Sequence, residues 1–135
     1  MSGPCAIGVL VSGSGTNLEN IARRVEEGFI PGRIAIVISD VEEACGLVRA
    51  RRMGLEAVFA DPRSFTDRAS YDRELIRMLA ERGVDLVVLA GYMKLVGPEF
   101  VSAFRHRIMN IHPALLPSFP GTSGVADALA YGVKV

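Results

Sequence analysis

Cysteine and histidine are scarce in this chain: two of each occur in 135 residues. Cys5 and Cys45 stand far apart, outside any CxxC pair, which argues against a zinc ribbon, a dithiol redox site or a disulfide-stapled scaffold. Both read as reduced thiols in the core. Without clustered histidines or carboxylates at ligand spacing, no metal is expected. Charge of one sign is also missing, because fifteen Lys and Arg offset fifteen Asp and Glu. That balance supplies no broad basic field for nucleic acid and no acidic tail, so any anion must be caught locally. Long apolar runs are absent too. Nothing approaches the roughly 20 residues that a bilayer requires, and no basic n-region precedes an apolar segment at the start. A cytoplasmic protein with no membrane partner is expected.

What the chain does have is an apolar half, enough to bury one core as a single domain over residues 1–135. Cys5 to Val11 is a β-branched run followed by a small polar loop and a helical pattern, with Leu18, Ile21, Ala22 and Val25 on one face and Gly28 as a stop. Ile34 to Ile38 is the next strand, and a helix from about Ala44 to Met53 ends at Gly54. Ala57 to Phe59, a helix Tyr71 to Arg82 ending at Gly83, and the buried strand Leu86 to Ala90 continue the alternation. A short helix after Pro98 carries Phe100, Val101 and Phe104, and Ile108 to Ile111 reads as a further strand.

Strands apolar on both faces, alternating with helices, predict a doubly wound, mostly parallel α/β sheet with helices on both sides. Ligands then collect beyond the carboxyl ends of the strands, so the loops after Val11, Ser39 and Ala90 are expected to lie together. From Pro113 the chain turns irregular, with Pro117, Pro120, Gly121 and Gly124 close behind. Ala126 to Tyr131 suits one or two helical turns, and Gly132 to Val135 begins an apolar element that does not finish. The fold reads as C-terminally truncated.

Ser12-Gly13-Ser14-Gly15-Thr16-Asn17 is the first candidate site, because two glycines and small polar residues between strand and helix expose backbone N–H groups to an anion. Leu18 occupies the third glycine position of a dinucleotide fingerprint, and no Gly-Lys-Ser/Thr follows. A phosphate cradle and a plain turn capped by Thr16 or Asn17 both remain open here. The second candidate is Asn110-Ile111-His112-Pro113. Alternation along an extended segment places Asn110 and His112 on one side. An amide able to donate to a developing oxyanion, beside an imidazole that exchanges protons near neutrality, suits transfer at a carbonyl or formyl carbon, although a lone histidine beside a proline is more often structural. His106, between Arg105 and Arg107, reads as a solvated surface residue. Ser12 and Ser14 lack the outer glycines of a nucleophile elbow. Arg68 and Lys94 are cations placed in loops. Gly91 permits close backbone approach, and Met93, Leu95 and Val96 offer an apolar wall for a flat ligand.

Four blocks, Val11 to Leu18, Ser70 to Leu75, Leu89 to Met93 and Asn110 to Pro117, together resemble the folate-dependent phosphoribosylglycinamide formyltransferases along almost the whole chain. The last block is shared with other 10-formyltetrahydrofolate enzymes, while the glycine loop and Phe119-Pro120-Gly121 point to the glycinamide ribonucleotide branch. The resemblance implies formyl transfer from 10-formyltetrahydrofolate, as co-substrate, to the amine of 5-phosphoribosylglycinamide in purine biosynthesis, without metal. It implies that Ser12, Gly13, Gly15, Thr16 and Asn17 hold the substrate. Arg68, Met93, Lys94, Leu95, Val96 and Asn110 line the folate side. His112 donates the proton, with Asn110 steadying the oxyanion.

Ser123 stands where such proteins usually have histidine. They also continue beyond Val135, to an aspartate that raises the pKa of the histidine, so weak or no activity of these residues alone is expected, along with self-association through an exposed edge. A deformylase or a methionyl-tRNA formyltransferase is the alternative within the same chemistry. A phosphate-ligand binding fragment without turnover is the alternative outside it.

Overall fold

Seven residues, Cys5–Val11, form β1, the central strand of a five-stranded, wholly parallel sheet in a computed structural model that describes residues 5–111. After it come α1 (Thr16–Glu26), β2 (Gly32–Ser39), α2 (Cys45–Arg52), β3 (Ala57–Phe59), α3 (Arg68–Glu81), β4 (Leu86–Ala90), α4 (Pro98–Ala103) and β5 (Ile108–Ile111). The strand order is β3-β2-β1-β4-β5. The predicted doubly wound parallel sheet is therefore what forms, and β1, β3, β4 and β5 fall on the segments read from the sequence. Gly28, Gly54 and Gly83 all take positive φ just past their helices. His112 and the proline-rich stretch after it lie outside the described residues.

The pleat divides the apolar strand residues between two cores. Leu10, Ile36, Ile38, Val87 and Leu89 pack with Tyr71, Leu75, Leu79 and Phe100 of α3 and α4. Val9, Val11, Val37 and Val88 pack with Leu18, Ile21, Leu47 and Ala50 of α1 and α2 on the opposite face. Each fully buried Leu, Ile or Phe contributes about 1.5–3 kcal/mol of transfer free energy, and neither face survives without its helices. Because successive crossovers run outward from β1 in opposite directions, the loops after β1 and β4 diverge and leave a crevice at the carboxyl edge.

Two expectations are corrected. The helix placed at Tyr71 starts three residues earlier, because the Asp67 carboxylate accepts the Ser70 N–H at 2.8 Å and caps it there. Arg68 thus lies on the first turn of α3 and not in a loop. Nor is Cys45 a core thiol. It is exposed, because α2 turns Gly46, Leu47 and Ala50 toward the sheet, while Cys5 is half-buried, its thiol pushed up first by burial and then by Asp85.

Candidate active site

The carboxyl ends of β1, β2 and β4 meet, as expected, through one side chain. Ser12 Oγ donates to Asp40 Oδ1 at 2.6 Å and accepts the Met93 N–H at 2.8 Å. The Ser12 hydroxyl, expected to face the substrate, is spent on these internal bonds. Beyond it, Gly13, Ser14 and Thr16 are exposed, and Gly15 serves as N-cap of α1 at φ 78° with no side-chain capping bond. The alternative of a turn capped by Thr16 or Asn17 does not form. Both residues lie inside the helix, so their backbone N–H groups point out of its positive end.

The loop is buttressed from α2. Gly46 N–H donates to the Gly13 carbonyl at 2.9 Å, and Arg49 Nε donates to the Ser14 carbonyl at 2.8 Å while its Nη1 pairs with Glu19 at 2.8 Å. None of Asp40, Gly46, Arg49 or Glu19 was singled out from sequence. Asp40 carried a usable signal, a carboxylate immediately after a buried parallel strand. The Arg49 contact spans 35 residues and leaves no local trace.

Across β4, a cleft of about 510 Å³ opens between the segment after that strand and β5, lined by Met93, Lys94, Leu95 and Val96 together with Leu89, Val101, Phe104, Ile108 and Asn110. The predicted apolar wall is present, and Asn110 faces the same cleft. Its Oδ1 is buried without a hydrogen-bond partner among the described residues, and a stripped acceptor of that kind calls for a donor. His106 adds an exposed imidazole to the rim, at φ 64°. The surface reading of this residue holds, but its place at the cleft was not foreseen. Arg68 and Lys94 come together at a second cleft of about 470 Å³ that shares Met93 and Leu95 with the first.

Behind the clefts, Tyr71 donates to the Ala60 carbonyl at 2.7 Å. Burial pushes its phenol up to about 12, and pushes Tyr92 up as well, so both remain neutral and serve as walls rather than bases. Among the described residues no group of three or more His, Cys, Asp or Glu side chains is placed to hold a metal ion, and no helix is long and apolar enough to cross a membrane.

A glycine-rich helix N-terminus beside an apolar cleft, at the switch point of a parallel sheet, is the arrangement of a doubly wound ligand-binding enzyme fold. Residues 6–135 match the formyl transferase family model, and the chain belongs to that family. Phosphoribosylglycinamide formyltransferase of Escherichia coli K12 is 41% identical, over 92% of this chain and 58% of its own length. The Mycobacterium tuberculosis H37Rv protein of the same name is 44% identical, over 99% and 61%. Among solved structures, glycinamide ribonucleotide transformylase 1 from Symbiobacterium toebii superposes with a TM-score of 0.81 at 51% identity, covering 98% of this chain and 63% of that one. This chain thus spans about three-fifths of the length of these relatives.

Proposed function

We propose that the chain carries the formyl-transfer site of a phosphoribosylglycinamide formyltransferase, moving a formyl group from 10-formyltetrahydrofolate to the amine of 5-phosphoribosylglycinamide. The observation that carries this reading is that the loop at the N-terminus of α1 and the wall of the apolar cleft are joined by one hydrogen bond, Met93 N–H to Ser12 Oγ. Two ligands bound there are neighbours. A phosphate suits the Gly13 to Asn17 amides, which offer donors and the positive end of a helix once it displaces the long 3.5 Å bond from the Thr16 N–H to Ser14 Oγ.

The folate also fits the residues present. Leu95, Val96, Val101 and Phe104 make an apolar slot, Asn110 lines it with an amide whose Oδ1 has no partner among the described residues, and Arg68 with Lys94 offers cations to an anionic tail. When bound, the donor supplies an activated formyl carbon. In this reading the Asn110 amide donates to the formyl oxygen as it gains negative charge. The amine lone pair forms the new C–N bond, the bond between the formyl carbon and the folate nitrogen breaks, and by the resemblance His112 gives a proton to that departing nitrogen and is left neutral to take the one the amine loses. The roles of Asn110, Gly13, Gly15, Thr16, Asn17, Arg68 and Met93 to Val96 rest on the family resemblance together with this placement, that of His112 rests on the resemblance alone, and Ser12, its hydroxyl turned inward, supports the loop rather than touching the substrate.

Calorimetric titration with 5-phosphoribosylglycinamide, in parallel with the Gly15→Val variant, tests the acceptor half. Binding by the parent and none by the variant is expected. Spectrophotometric release of tetrahydrofolate that depends on both substrates tests the reaction. Equal binding by parent and variant would remove the phosphate from this loop, and absence of binding by either would overturn the reading.

A further inference from the structure

Ser12 is 9% exposed, and its hydroxyl is committed on both sides. One proton goes to Asp40 at the end of β2, and one lone pair takes the Met93 amide beyond the end of β4. Donation to a carboxylate makes the same oxygen a better acceptor, so the two bonds reinforce each other. Met93 opens the segment that walls both clefts, and the far end of that segment is held in the same manner. Gly97 N–H donates at 2.7 Å to Oδ2 of Asp72, a carboxylate only 3% exposed on α3. Between these pins, Met93 and Leu95 are each 74% exposed. A segment that offers apolar side chains outward is therefore fastened at its two ends by buried oxygens, one of which belongs to the acceptor loop.

We propose that Ser12 is a positioning residue that couples the two half-sites: occupancy of the 13–17 loop orders the Met93 to Val96 wall through the Ser12 hydroxyl, and occupancy of the wall orders the loop. The inference rests on the proposed function, since it takes the loop for the nucleotide and the wall for the folate. Its physical basis is shared ordering. A ligand that fixes Ser12 fixes the Met93 amide with it, so the second ligand meets a segment already in place. Reciprocity follows, because a coupling between two binding equilibria acts equally in both directions.

The test is titration of tetrahydrofolate into the protein with and without saturating 5-phosphoribosylglycinamide, for the parent, Ser12→Ala and Asp40→Asn. In the parent the nucleotide is expected to tighten folate binding about 5- to 10-fold. In Ser12→Ala that factor falls to about one and the folate Kd rises about 10-fold, because the Met93 amide loses its partner. The nucleotide Kd measured alone moves less than about twofold, and the Met93 amide exchanges faster. Asp40→Asn keeps an acceptor for the hydroxyl but removes the charge, so it retains the fold and lowers the factor only in part. It decides the matter should Ser12→Ala fail to fold. A folded Ser12→Ala with the parent's factor, an Asp40→Asn factor equal to the parent's, or a parent factor of one overturns the coupling and leaves the proposed function standing. A parent that binds neither ligand overturns the proposed function, and shows it before any variant is made.

Discussion

Gly15 and Gly46 lie backbone against backbone, so close that a Cβ on Gly15 would overlap the Gly46 Cα. This contact sets the β1–α1 loop on the start of α2, and it needs glycine at Gly15 twice over, for space and for φ 78°. Gly15→Ala is accordingly expected to cost about 2 kcal/mol or more, from the left-handed backbone alone about 1–2 kcal/mol and the remainder from the overlap. Urea denaturation measures the first effect. Nucleotide titration of the folded fraction should show the loop's affinity lost, and a variant as stable as the parent would refute the contact.

Arg49 holds the same loop by a different means. Its pair with Glu19 is partly exposed, with side chains 36% and 29% accessible, so Arg49→Met should lower stability by only about 0.5–1 kcal/mol. Its bond to the Ser14 carbonyl fixes the loop whose amides hold the phosphate in the proposed function. Nucleotide affinity should fall about 10-fold, as for loss of a charge-assisted hydrogen bond. Stability and affinity are measured on the same preparation, and a loss confined to stability would show that Arg49 does not shape the site.

His106 occupies a left-handed conformation, φ 64°, in the turn that joins α4 to β5. Its neighbours Arg105 and Arg107 are exposed like itself, and nothing in the turn rewards the imidazole for its strain. His106→Gly relieves the Cβ clash while adding freedom to the unfolded chain, for a net gain of about 0.5–1 kcal/mol. An upward shift of the urea midpoint is expected. A fall would mean that the imidazole makes a contact worth more than the strain.

Tyr71 predicts an alkaline limit to stability. An unfolded tyrosine loses its proton near pH 10, whereas burial lifts folded Tyr71 to about 12. The folded state thus favours the protonated phenol, and the stability this contributes is intact below about pH 10 and lost as pH climbs through about 12. Tyr71→Phe should be less stable at neutral pH by about 1 kcal/mol, through loss of the bond to the Ala60 carbonyl, and its stability should fall less between pH 10 and 12. Guanidinium unfolding across that range is the measurement, and parallel pH curves for the two proteins would refute the assignment.

The elements of this protein are local matters, and the sequence alone determines them. Val9, Val11 and Leu10 alternate along β1, Leu18, Ile21 and Ala22 recur at helical spacing, and glycines stand past the helix ends, so periodicity and backbone sterics suffice to place strands, helices and the parallel class of sheet. Of the candidate site, the sequence marks where its loops stand and not what they bind. The Ser12 to Asn17 loop and the Met93 to Val96 segment are marked by their position after apolar strands, and Asn110 by alternation along an extended segment. Cys45 falls outside the core because hydrophobic character says nothing about which side of a short helix a residue occupies, and Arg68 falls within a helix because the Asp67 cap, directly before it, starts α3 ahead of the apolar pattern at Tyr71. What only the tertiary structure decided was the partnership of groups distant in the chain: Ser12 with Asp40 and Met93, Arg49 with Ser14 and Glu19, Asp72 with Gly97. Such partnerships are long-range because a parallel sheet brings together strand ends that are separated by whole helices, and hydrogen bonds between those ends leave no period in the sequence to read.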